Sequence, residues 1–150
     1  MIYLITSATA LTIFLVWMYK NIGIPQSISA TFYDSKTRWT YTAVVSGIGA
    51  LMIFIDHGSL LSFAGLSLVL GTAAPDFKDT ASLSMQLHYG LTATTAVLAG
   101  VYLFGLWGLL AGVVLGVSTL IDNKIPKAVF WAEILLFYTA FTGVFLKLLE

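Results

Sequence analysis

Glu133 is the residue whose position most invites chemistry. It stands between Trp131 and Leu135 in an apolar run, six residues after Lys127. On a helix that is roughly 9 Å further along the axis. A carboxylate at that depth sits in hydrocarbon, where charge is costly, so it must face the interior of a bundle. His88 is the partner the sequence offers, near the start of another apolar run and after polar Ser84 and Gln86. Together the two groups could carry a proton, hold a cation or act as a general base. They could equally form a structural hydrogen bond that locks two helices together.

A second constellation is Asp76, Asp79 and His88, whose oxygen and imidazole donors suit a divalent metal. The nine-residue step from Asp79 to His88 matches no recognised ligand spacing. Loop acids are also commonly solvated, or cap a following helix. Asp79 or Thr80 could cap one starting near Ser82. No cofactor is expected beyond that metal alternative. Asp56 and His57 read as a polar turn at the opposite end. Catalytic motifs are otherwise missing: there is no G-x-S-x-G, H-E-x-x-H, Walker A or G-x-G-x-x-G pattern. The only Arg is Arg38, so no cluster exists to bind phosphate.

The elements that position these residues follow from composition. The chain has 150 residues, of which 59% are hydrophobic and 9% charged, with no Cys. Soluble domains carry about 25% charged residues, so so little charge excludes a soluble fold. Seven Lys and Arg against seven Asp and Glu disfavour a nucleic-acid binder. What remains is an all-α polytopic membrane bundle. A span needs about 20 apolar residues. Six runs qualify, at about 2–19, 39–55, 60–74, 85–104, 106–121 and 127–149, and they leave no space for a soluble domain. Pro126 suits the first turn of the last helix. The first run lacks a preceding basic segment and reads as a retained helix. The fourth and fifth runs are joined by a tight turn at Gly105.

Six spans put Lys20, Lys36, Arg38, Lys78, Lys124 and Lys127 on one side and only Lys147 on the other. The positive-inside rule makes the basic side cytoplasmic and both termini external. Among the aromatic residues near span ends, Tyr41 reads as an interfacial anchor. The connection 20–38 holds Ser27, Ser29 and Tyr33, with Ile24, Ile28 and Phe32 at i, i+4, i+8. That spacing suits a short interfacial helix. A re-entrant or extended loop packed on the bundle is the alternative. Gly108, Gly112 and Gly116 form a flat stripe for close helix packing, within one chain or between copies.

Two segments carry a resemblance. Pro25-Gln-Ser-Ile-Ser-Ala-Thr-Phe-Tyr33 resembles a P-x-S-I-S-x-x-Y-Y motif. Gly71-Thr-Ala-Ala-Pro-Asp-Phe-Lys78 with His88-Tyr89 resembles G-A-A-P-x-F-K…H-Y. Both are similar to segments of a group of small polytopic membrane proteins of bacteria and their phages. Phe32 replaces the first Tyr, and Thr72 replaces an Ala. That group has no assigned activity, so the resemblance implies topology and draws attention to Ser27, Ser29, Tyr33, Pro75 and His88. A fainter similarity is to seven-span metal-dependent hydrolases of the alkaline ceramidase and adiponectin receptor type. This chain has one span fewer and lacks an H-x-x-x-H pattern.

The combined expectation is a self-associating protein of the bacterial inner membrane, surrounded by lipid. Small ion, proton or solute transport, or a channel-like role, is the leading reading. Its cytoplasmic-side polar pocket would contain Glu133, His88, Tyr33, Ser27 and Ser29. A metal-dependent hydrolase or lipid-modifying enzyme and a structural subunit are the alternatives.

Overall fold

A computed structural model of the chain describes residues 1–34, 36–72, 82–122 and 124–150. Six α-helices account for most of it: α1 (Ile2–Ile22), α2 (Arg38–Ile55), α3 (Leu60–Thr72), α4 (Leu83–Phe104), α5 (Leu110–Ile121) and α6 (Ala128–Lys147). Two 3-10 turns, Ser29–Tyr33 and Gly105–Leu109, complete the order. No strand occurs among the described residues. Helices are what a lipid-facing chain must form, because each backbone N–H and C=O has to be satisfied within its own segment. Serine and threonine side chains are quieted in the same way. Ser7 donates to Tyr3, Thr12 to Ala8, Thr42 to Arg38 and Thr92 to His88, each to the carbonyl four residues back.

Four segments are long and apolar enough to cross a membrane: Ile2–Ile22, Arg38–Ile55, Leu83–Ile121 and Ala128–Lys147. The third is not one rod. Gly105 ends α4 at φ 59, and the chain turns back on itself. Gly100 then meets Gly108, and Val97 meets Gly112. Those pairings are antiparallel, so α4 and α5 form a hairpin. α3 is a shorter apolar helix of 13 residues, about 20 Å long.

The sequence-derived boundaries shift at several places. α1 continues to Ile22 because Gly23, at φ 76, is the first residue that terminates it. Residues 106–109 belong to the 3-10 turn, so the fifth helix starts at Leu110. Pro126 does not enter the first turn of α6. The helix starts at Ala128, after Lys127 adopts a left-handed φ of 66. Ser82 caps α4 itself, its hydroxyl accepting from the Met85 N–H at 3.2 Å. Asp79 and Thr80 lie outside the described residues.

Consecutive helices pack antiparallel. Tyr3 of α1 meets Phe54 of α2, and Ser46 of α2 bonds Thr72 of α3 at 2.6 Å. Thr95 of α4 reaches the Ala64 carbonyl of α3. Glycine sets the closest approaches. A Cβ on Gly49 would lie 2.7 Å from the Gly65 carbonyl oxygen, so α2 and α3 touch backbone to backbone. The Gly100–Gly108 contact is equally intimate. The glycine stripe of α5 is therefore used in part: Gly108 and Gly112 face α4, whereas Gly116 has open space around its Cα. The core gathers Leu11, Phe14, Met18, Ile48, Leu61 and Phe130. The outer surface is large and apolar, with Ile13, Leu66, Val113 and Leu135 exposed. Such a surface fits lipid rather than water.

The α4–α5 contact yields a direct prediction. Gly108→Ala pushes a methyl into the Gly100 and Val101 backbone and should cost about 1–3 kcal/mol. Gly116→Ala enters open space and should stay within about 0.5 kcal/mol of wild type. Thermal melting of the two variants in one detergent checks this; equal melting temperatures would contradict the close contact.

Candidate functional site

The 3-10 turn Ser29–Tyr33 and its flanks build one end of the site. After Gly23 and Pro25 the chain folds inward rather than along the surface. Ile28 is 2% exposed and Thr37 is fully buried. Of the two readings of this connection, an interfacial helix and a loop packed on the bundle, the described residues take the packed loop. The reason is local bonding that competes with a helix. Ser27 Oγ accepts the Ala30 N–H at 3.0 Å and pairs with Ser29 Oγ at 3.1 Å. Thr31 Oγ1 donates to the Ile28 carbonyl, and Thr37 Oγ1 donates to the Thr31 carbonyl, both at 2.6 Å.

Two bonds fasten this loop to α6. The first helical residues have N–H groups without intrahelical partners. The Phe130 N–H donates to the Gln26 carbonyl at 3.1 Å, which satisfies one of them. Asp122 Oδ1 accepts a long bond, 3.4 Å, from the Val129 N–H. One turn further into α6, Glu133 Oε2 accepts the Ile28 N–H at 2.5 Å.

His88 is held separately. It is 4% exposed, and its Nδ1 lies 2.8 Å from the Gly71 carbonyl. A carbonyl can only accept, so Nδ1 carries the proton. The bond ties α4 to the end of α3. Glu133 therefore takes the Ile28 amide, not His88, as its hydrogen-bond partner. The two side chains nonetheless share a space. A cavity of about 270 Å³ between the helices is lined by both, and by Ser29, Tyr41, Thr72 and Thr92 near that end. It continues past Thr95, Ala99 and Ala140 to Phe104 and Trp107, beside the α4–α5 turn. Its wall beyond Thr92 is almost wholly apolar.

The other expected site residues take different places. Ser27 stands behind Ser29 and supports the loop. Tyr33 is half-buried and packs edge-on against Phe32 at 5.6 Å; it is not among the residues described as lining the cavity. Asp76, Asp79 and Pro75 lie outside the described residues. Among the described residues, no group of three His, Asp or Glu side chains could hold a metal.

Tyr41 is the residue that sequence reasoning misplaced. It is 2% exposed and lines the cavity with Glu133. Proximity of Trp39 and the span end suggested an anchor. The finer signal was helical spacing: Tyr41, Val45, Ile48 and Met52 share one buried face of α2. At the far end of the bundle, a smaller polar contact joins α6 to α4: Lys147 Nζ donates to the Tyr102 carbonyl at 3.0 Å while lying 3.7 Å above its ring.

Comparison of the chain with protein-family models, with curated proteins and with solved structures gave no match.

The Glu133 bond separates two substitutions. Glu133→Gln keeps a carbonyl oxygen for the Ile28 N–H and should leave the melting temperature close to wild type. Glu133→Ala strands that buried N–H and should cost about 1–3 kcal/mol. A Glu133→Gln loss as large as that of Glu133→Ala would show that the charge, not the acceptor, holds the loop.

Proposed function

We propose that this chain is a six-span protein of the bacterial inner membrane that moves a small ion or solute through its central cavity. The observation that carries the reading is that Glu133 and His88 line one cavity, which then runs along the bundle to Trp107. A purely structural pair would be expected to bond directly and leave no space. Here each is bonded to a backbone group while still bordering the cavity.

The antiparallel order of α1 to α4, and of α4 with α5, supports six crossings. The short α3 and α5 are accommodated by tilt or by local thinning of the bilayer. In that arrangement Lys20, Lys36, Arg38, Lys124 and Lys127 gather at the Glu133 end, which the positive-inside rule makes cytoplasmic. Glu133 then lies within the cytoplasmic half of the bilayer, and both termini are external. The hydrolase alternative depends on Asp76 and Asp79 and gains no support from the described residues.

Purified protein reconstituted with a trapped pH-sensitive dye tests the reading. Wild type should dissipate an imposed pH gradient faster than empty vesicles. Glu133→Gln should slow that dissipation at least tenfold while melting with wild type. Equal rates in the variant and wild type would contradict a transporting role for Glu133.

A further inference from the structure

The shape and chemistry of the cavity define a ligand class, an inference that rests on the transport reading above. We propose that the cavity binds a single-chain amphipath with a monovalent cationic head, the head at Glu133 and the tail along α4 and α6. Three observations converge on this.

The first is charge. Among the described residues that line the cavity, Glu133 is the only carboxylate and none is Lys or Arg. The Arg38 guanidinium is engaged elsewhere, 4.5 Å above the Phe32 ring. An anionic head would meet a carboxylate with no compensating cation among the described lining residues. A cationic head would meet its complement, with the Tyr41 and Ser29 hydroxyls beside it as further oxygen acceptors. Only one oxygen of Glu133 is used by the Ile28 N–H. Its other oxygen receives no hydrogen bond from the described residues, so a cation can be held without releasing the loop.

The second is size. Small-molecule sites span roughly 300–1,000 Å³. A cavity of about 270 Å³ falls just below that range, which suits one short chain. A hydrated metal ion would not need an apolar wall extending to the opposite end of the bundle.

The third is where the apolar end leads. Trp107 and Leu110 line the cavity, yet they are 77% and 55% exposed. The tail end is therefore continuous with the lipid-facing surface, and a tail longer than the cavity can extend into the bilayer.

The test uses full-length protein in lipid nanodiscs, with empty nanodiscs as background. The probes are tritiated decyltrimethylammonium and decanoate, which share chain length and differ in head charge. Wild type should bind the ammonium saturably, with one site per chain, and bind decanoate no better than background. Glu133→Gln should weaken ammonium binding at least tenfold. Ala140→Phe, which fills the tail region and leaves Glu133 in place, should abolish it. Decanoate binding as tight as that of the ammonium, equal affinity in Glu133→Gln, or no saturable site would overturn the proposal. Ammonium binding retained in protein that dissipates no pH gradient supports the ligand class and counts against transport. Gradient dissipation without ammonium binding does the reverse.

Discussion

One hydrogen bond organises this molecule: the Ile28 N–H donating to the Glu133 carboxylate. A carboxylate one turn and more inside a lipid-embedded helix needs a partner. The chain supplies a backbone amide rather than a basic side chain. That choice has structural consequences. It draws residues 27–31 inward, buries Ile28 and Thr31, and turns a connecting segment into a wall of the bundle. It also leaves the carboxylate with an uncommitted oxygen beside Tyr41. A salt bridge to Lys or Arg would have neutralised the site and filled it.

The rest of the packing keeps space open around that carboxylate. Close glycine contacts bring α2 against α3 and α4 against α5 at backbone distance. Each close pair is compact, whereas α6 meets its neighbours through larger side chains such as Phe141, or through Leu103 on Gly143. Space therefore persists between the pairs and α6, and the cavity occupies it. The polar groups lie at opposite ends: Glu133, Tyr41 and His88 at one, and the Lys147–Tyr102 contact at the other. Between them the wall is apolar apart from Ser7 and threonines, whose hydroxyls largely bond to their own helices.

Much of this was legible in the sequence. Apolar run lengths marked the helices to within a few residues, because backbone hydrogen bonding sets the rise of a helix and bilayer thickness sets the length it needs. Glu133 was identifiable because a single carboxylate inside such a run is rare. Its partner was not. A backbone N–H carries no sequence signature, so His88 was the natural candidate and Ile28 an invisible one. The Ser29–Tyr33 turn was obscured for a related reason. Ile24, Ile28 and Phe32 have helical spacing, but Ser27 and Thr31 spend their hydroxyls on nearby backbone groups and stop a helix. Tyr41 misled because an aromatic residue near a span end has two roles, anchor or core, and only its buried face-mates distinguish them. The Gly100–Gly108 contact also escaped notice, since it joins glycines on either side of a turn rather than a periodic stripe.

The account stands on the claim that Glu133 holds the loop as the polar wall of the cavity. Amide hydrogen exchange over Ser27–Thr31 measures this most directly, since local opening reports the free energy of the contact. Wild type and Glu133→Gln should exchange slowly and alike, with Glu133→Ala faster by about tenfold or more, as expected for loss of a buried acceptor. The same exchange rate in all three proteins would contradict the claim.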